Sequence, residues 1–299
     1  MFQTLFIRNV DYPDLMMELC KGKSSMNAKL LQHELLKMMK EFHQVCVDNG
    51  LTYYMLGGTC LGSIRHKGFI PWDDDMDIGM PRKAYNEFIQ KAQKILPPHM
   101  EIRYYKNAQN SPFHFVKLIN KNTTLIEKMY TNYAEGVYID LFPLDYIDPD
   151  FYFEKKRFKL IKLFHTFVMK HVSTEKQTTL KGRLFTPIAK MIPLKALHFA
   201  LEKLMVNNYD KNKSYVCNLL GAYGEREIVP QSFFGKPTLY KFEDTDFYGP
   251  ENYDEYLKRI YGNYMQPPPE KERVLRHNYH YVNLNLPYRD YIKTQIKKE

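Results

Sequence analysis

The sequence predicts an α+β fold, a mixed or antiparallel sheet with flanking helices, extended by a basic helical segment. Three observations predict it. Residues 27–48 repeat Leu30, Leu31, Leu35, Met38, Met39, Phe42 and Val45 at helical spacing. Short β-rich runs recur between turn residues over the following hundred residues. Residues 151–208 then change to a helical and strongly basic pattern.

The elements follow in order. Asn49-Gly50 is a stop signal for the first helix. Thr52 to Leu56 is a short strand, broken by Gly57-Gly58-Thr59, with a short helix from Cys60 to His66. Gly68 to Trp72 is a loop. Asp74 to Met80 alternates acidic and apolar residues, the period-two pattern of a strand. Pro81 opens a helix from Arg82 to Ile95, because proline is tolerated at a first helical position. Further strands are expected at 101–105, 113–118 and 137–142, and a late helix at Tyr253–Tyr261. The organisation expected is a catalytic α/β region over 1–150, the basic helical segment over 151–215, and a C-terminal region over 216–299 that packs back on the first.

Charge narrows the function classes. The chain of 299 residues carries a net +9, yet residues 1–150 hold 17 basic and 18 acidic side chains, and 216–299 hold 12 of each. The excess lies in 151–215, with 14 basic against 4 acidic. A nucleic-acid footprint spread over the fold is therefore not expected. Residues 1–20 lack the apolar core and small-residue cleavage site of a signal peptide, and no run approaches the length of a membrane span. Cys20, Cys46, Cys60 and Cys217 form no Cys-x-x-Cys pair, which argues against zinc or a disulfide scaffold and fits a reducing cytoplasm.

The chemistry concentrates in residues 57–80. A glycine turn before a short helix can present backbone N–H groups to a phosphate. Asp75 and Asp77, two apart on a strand, would share one face, with Met76 and Ile78 facing the core. Paired carboxylates need neutralising, and hard oxygen ligands suit Mg²⁺ or Mn²⁺. Asp140, inside the apolar run Val137 to Phe142, is the best third acid. An EF-hand is excluded, since Ile78 stands at its sixth position and Ala84 at its twelfth. Arg65, His66 and Lys67 are candidate phosphate ligands, against a plain surface cluster. Lys117 is either a phosphate ligand or an edge-strand lysine. Asp73, Trp72, Tyr138, Arg276 and His277 are candidate supporting residues. Tyr53, Tyr54, Tyr130, Tyr133 and Tyr138 lie near this chemistry in sequence and could hold a quaternary ammonium over their faces, or simply fill strands.

The stretch GGTCLGSIRHKGFIPWDDDMDIGMPR resembles the signature of the LicD family of phosphotransferases. The resemblance extends to YIDLFPLD at Tyr138 to Asp145 and more loosely to YGNYMQPPPEKERVLRH at Tyr261 to His277. It implies a fold similar to the polymerase-β-type nucleotidyltransferases. It also implies transfer of a phospho-substituent, phosphocholine foremost, from a CDP-activated donor to a glycan hydroxyl, with Asp75, Asp77 and Asp140 as metal ligands. Gly57, Gly58 and Thr59 are the candidate phosphate contacts by their turn chemistry. The cysteine-rich insertion and membrane anchor of some animal members are not evident, which points to a bacterial-type soluble form. A lipid-linked glycan precursor at the inner face of the membrane would give the basic helices an anionic surface to meet; a solvated helical face is the other reading. Two rival functions remain: a metal-dependent glycosyltransferase with an Asp-x-Asp site, and a non-catalytic membrane or glycan-binding protein.

Overall fold

A computed structural model describes residues 25–108, 111–148, 152–174, 180–206, 214–275 and 277–296. The expectation about a signal peptide, Cys20 and Arg276 lie outside the described residues.

Helix α1 (Ser25–Asp48) buries Leu31, Leu35, Met38, Met39 and Phe42 on one stripe, while Leu30 faces solvent and not the core. It stops where Asn49-Gly50 predicts. Gly50 has φ +61°, its N–H donates to Val47 O at 3.3 Å, and Leu51 N–H donates to Cys46 O at 2.9 Å. This is a Schellman closure, which needs a left-handed residue. Gly50→Ala is expected to cost about 1 kcal/mol, read as a lower urea midpoint with unchanged slope.

Strand β1 (Tyr54–Met55) leads into α2 (Gly57–His66). The glycines are therefore the first turn of the helix and not a turn before it. Strand β2 (Asp77–Pro81) is shorter than the alternation predicts, and residues 73–76 form an irregular lead-in. The reason is the neighbour: β1 offers only two residues, paired with Ile78 and Gly79. Asp75 thus precedes the strand, although Met76 and Ile78 do face the core. Helix α3 (Arg82–Ile95) starts directly after Pro81 and buries Tyr85, Phe88 and Ala92.

Strands β3 (Met100–Arg103), β4 (Val116–Glu127) and β5 (Glu135–Ile147) follow. The last two run well beyond 113–118 and 137–142. Buried Asn120, Thr123, Thr124 and Glu135 hide the apolar signal there. Thr123 is satisfied within the hairpin, its Oγ1 donating to Asn120 O at 2.8 Å and accepting from Val137 N–H at 2.8 Å, while Asn120 Nδ2 donates to Glu34 Oε1 on α1 at 2.7 Å and Thr124 Oγ1 to Leu286 O at 2.7 Å.

Helices α4 (Tyr152–Val172), α5 (Leu180–Met191) and α6 (Leu194–Val206) make up the basic segment. Among the described residues no single helix is long and apolar enough to cross a membrane. Strands β6 (Tyr215–Cys217) and β7 (Ile228–Pro230) extend the sheet beyond the end of β5. A short helix α7 (Gln231–Phe234), the hairpin β8 (Thr238–Phe242) and β9 (Thr245–Gly249), helix α8 (Tyr253–Tyr261), strand β10 (Tyr279–Asn283) and helix α9 (Tyr288–Ile296) complete the chain. The main sheet runs β1-β2-β5-β4-β10, with β3 also on β4. Only β2 and β5 pair in parallel among these, so the sheet is mixed.

Candidate active site

The site is built where the lead-in to β2 passes the first turn of α2. Gly58 allows this approach: a Cβ there would lie 2.6 Å from Asp73 Oδ2. Gly57 has φ +45° and its Cβ would stand 3.5 Å from Asp77 Oδ2. Its N–H donates to Tyr256 Oη at 3.0 Å, and Thr59 Oγ1 accepts the Asp77 N–H at 2.8 Å. The glycine turn therefore seats the acidic segment. Gln32 Nε2 donates to Asp73 O at 2.7 Å, tying the same segment to α1.

The sheet register supplies the second half. Asp77 on β2 faces Asp140 on β5, which faces Lys117 on β4. Residues directly opposite in adjacent strands share a face, so the three side chains form one row. Asp140 N–H also donates to Met76 O at 3.0 Å, continuing the pairing into the lead-in.

The C-terminal region closes the third side. His277 Nδ1 donates to Asp74 Oδ1 at 2.8 Å, and its Nε2 stands 3.8 Å from Asp75 Oδ2. Asp74, Asp75 and His277 each offer a ligand atom, and all three atoms lie within 4.8 Å of one another. Asp74 Oδ2 and Asp140 Oδ1 are buried and receive no hydrogen bond from any described residue. Buried carboxylate oxygens left so are costly, and a cation would complete them.

The electrostatics say the same. Burial first, then repulsion from Asp75, Asp140 and Asp73, holds the Asp77 carboxyl far above the ordinary range. Burial and the charges of Asp75 and Asp74 raise Asp73 likewise. Asp140 is pushed up to about 8 by burial, with Asp75, Glu127 and Glu135 adding to it and Lys117 opposing. Burial alone would lower His277; its hydrogen bond to Asp74 and the charges of Asp75 and Asp74 outweigh this and push it up to about 10. The hollow therefore carries more acid than one imidazolium neutralises.

Lys117 is not an edge lysine. Its ammonium is fully buried, 2.9 Å from Glu127 Oε1 and 2.8 Å from Glu135 Oε1, and 3.4 Å from the centroid of the Tyr138 ring. Tyr138 Oη in turn donates to Glu127 Oε1 at 2.8 Å. Arg65 and His66 end α2, about 12 Å along the helix from its glycine turn. Arg65 Nη1 is engaged with Tyr264 O at 2.6 Å. Lys67 takes the left-handed cap, φ 60°, and its carbonyl accepts Glu243 N–H at 2.7 Å. Trp72 packs edge-on to His66 and under the Arg273 guanidinium.

Of the five tyrosines expected near the chemistry, Tyr138 shares the face of Asp140. Tyr53 instead hydrogen-bonds His43 in the core at 2.6 Å, and Tyr54 donates to Gly235 O at 2.7 Å. Tyrosines of the C-terminal region instead line the acidic segment and glycine turn: Tyr256 Oη accepts Gly57 N–H, Tyr261 Oη would lie 3.5 Å from a Cβ on Gly57, and the Tyr279 hydroxyl donates to the Asp74 backbone O at 3.4 Å. Sequence reasoning missed these and Asp74. The one available signal for Asp74 was its place inside an unbroken acidic triplet.

A family model described as LicD/FKTN/FKRP, nucleotidyltransferase domain, matches residues 50–208. The chain is 28% identical over 260 residues to the lipopolysaccharide cholinephosphotransferase LicD of Haemophilus influenzae, covering 81% of this chain and 92% of that protein. It is also 39% identical over 70 residues to an uncharacterised protein of Rickettsia typhi, 23% of this chain and 21% of that one. A similar protein of Rickettsia prowazekii is 38% identical over 79 residues, 25% of this chain and 28% of that one.

Proposed function

This chain belongs to the LicD family, and from that premise we propose that it transfers a phospho-substituent, phosphocholine foremost, from a CDP-linked donor to a hydroxyl of a cell-surface glycan. The observation that carries the reading is the acidic cluster, where Asp77 faces Asp140 and, among the described residues, Asp74 Oδ2 and Asp140 Oδ1 are buried without a hydrogen-bond partner. Residues 1–150 would hold the chemistry, 151–215 would face the acceptor side, and 216–299 would complete the hollow through His277.

Asp75, Asp77 and Asp140 are the proposed ligands of Mg²⁺ or Mn²⁺, with Asp74 and His277 beside them. A divalent cation supplies charge neutralisation at the phosphates of donor and leaving group. The rest falls to the chain. The first turn of α2 would lie beside the donor phosphates, its Gly57 and Gly58 letting the acidic segment sit close against it. Asp140 lies on the same face as Asp77 and would take the proton of the attacking hydroxyl. His277 holds Asp74 in place through its Nδ1 hydrogen bond. The acceptor, as a lipid-linked precursor, would bring the protein to the inner face of the membrane.

Cation binding tests the site. Carboxyls with raised pKa values are protonated below them, so the cation must displace protons. With Asp140 at about 8, Mg²⁺ binding at pH 7 is expected to release protons and to weaken as pH falls. Calorimetry in buffers of different ionisation enthalpy reads both; binding with no proton release and no pH dependence would contradict the assignment. The donor is tested by offering CDP-choline, CDP-ribitol, CDP-glycerol and CDP-ethanolamine with Mg²⁺. Turnover of at least one is expected, and turnover of none would contradict the reading.

A further inference from the structure

Helix α5 wears its amphipathic pattern inside out. Leu184, Ile188 and Met191 follow the four-and-three spacing of one helix face, and they are 61%, 47% and 83% exposed. Phe185 flanks them at 39%. The opposite face is the one that packs: Gly182 and Ala189 are buried, with Thr186 between them. It lies on α4, where His171 Nδ1 meets Ala189 O at 2.9 Å and Phe167 meets Phe185 at 6.0 Å between centroids. A helix made only for a soluble core would turn its large apolar side chains inward and its small ones outward.

The surroundings say what covers this face. Lys190 and Lys195 are exposed at the α5–α6 junction, and Lys155, Lys156 and Lys159 are exposed on α4. Tyr152, Leu160 and Phe199 are exposed among them, with Lys156 over the Tyr152 ring and Lys203 over the Phe199 ring. Fourteen basic against four acidic residues in 151–215 complement an anionic surface. Lys190 and Lys195, exposed beside the outward apolar stripe, fit the pattern of a helix that lies in a bilayer interface. Crossing the bilayer is a poorer match. α5 and α6 are long and apolar enough to span only together, yet they are bent by 99° to one another, and α6 commits Leu197, Leu201 and Met205 to the protein core.

We propose that α5 is an interfacial anchor, whose Leu184–Ile188–Met191 face enters the acyl boundary of an anionic bilayer while neighbouring lysines meet the headgroups. The anchor rests on the membrane-peripheral part of the proposed function and not on its chemistry. It would hold the protein beside acceptors that are themselves in the membrane.

Co-sedimentation of the full chain with vesicles tests it. Vesicles of phosphatidylglycerol and phosphatidylethanolamine are expected to bind the protein, salt to weaken binding, and phosphatidylcholine vesicles to bind it far less. The joint variant Leu184→Glu, Ile188→Glu is expected to lose about a hundredfold in partitioning, with its melting temperature and its binding of CDP-choline retained. Lys190→Gln with Lys195→Gln is expected to lose about fivefold per lysine and part of the salt dependence. Wild-type binding by the Glu variant, or equal binding to both vesicle types, would overturn the anchor. So would a concentration-dependent dimer in sedimentation velocity that the Glu variant abolishes, in a protein that ignores vesicles. Failure of the wild type to bind any of CDP-choline, CDP-ribitol, CDP-glycerol and CDP-ethanolamine would instead overturn the transferase reading and leave the anchor standing.

Discussion

Asp77→Asn is expected to lower turnover by about 10³-fold or more while leaving the fold intact. The residue is the first of β2, opposite Asp140 and beside Gly57 at the start of α2. Its carboxylate is a proposed cation ligand, and cation stabilisation of charge in transfer is worth several kcal/mol, which is about 10³-fold in rate. Asparagine keeps the size and the backbone contact to Thr59. Without a cation the variant should melt no lower than the wild type, and somewhat higher at neutral pH and above. The reason is that the native carboxyl is held far above its ordinary range by burial and by Asp75, Asp140 and Asp73. Ionising such a group costs folding free energy as pH rises. Melting curves without and with Mg²⁺ separate the effects: the wild type should gain from the cation and the variant should gain little. Retained turnover would refute the role of Asp77.

Lys117→Met is expected to unfold or strongly weaken the protein and not simply to raise the KM for donor. The ammonium bridges Glu127 and Glu135 below the row Asp77–Asp140. Removing one partner of a buried ion pair costs about 3–5 kcal/mol, since the remaining charge is left uncompensated. In a chain of this size that is a fall in melting temperature on the order of 10 °C. Glu135 is already raised by burial with Lys117 present. Adding Glu127→Gln and Glu135→Gln to the variant should restore much of the loss. A variant with unchanged melting temperature and a weakened donor KM would instead make Lys117 a phosphate ligand.

Elements whose signals are local are legible in the sequence. The amphipathic stripe of α1, the Asn49-Gly50 stop, and Pro81 ahead of α3 each lie within a few residues of what they determine. Strand β10 and the β8–β9 hairpin were not recognised, because β10 takes its place only from pairing with β4, some 150 residues earlier in the chain. The acids Asp75, Asp77 and Asp140 stood out by their apolar flanks. Their register did not, since β2 and β5 pair across the whole of α3, β3 and β4. His277 reaches Asp74 over a separation of 203 residues, so its part in the hollow has no local trace. Lys117 is the sharpest case. A lysine in a β-rich run reads as exposed until Glu127 and Glu135 are known to converge on it.

The central claim is that the bond broken lies between the two phosphorus centres of a CDP-linked donor. Wild-type protein given CDP-choline, a hydroxyl-bearing glycan acceptor and Mg²⁺, with nucleotide sugars present as competitors, should release CMP in step with phosphocholine on the acceptor, and Asp77→Asn should release almost none. Release of a nucleoside diphosphate together with sugar transfer would contradict it and make the protein a glycosyltransferase.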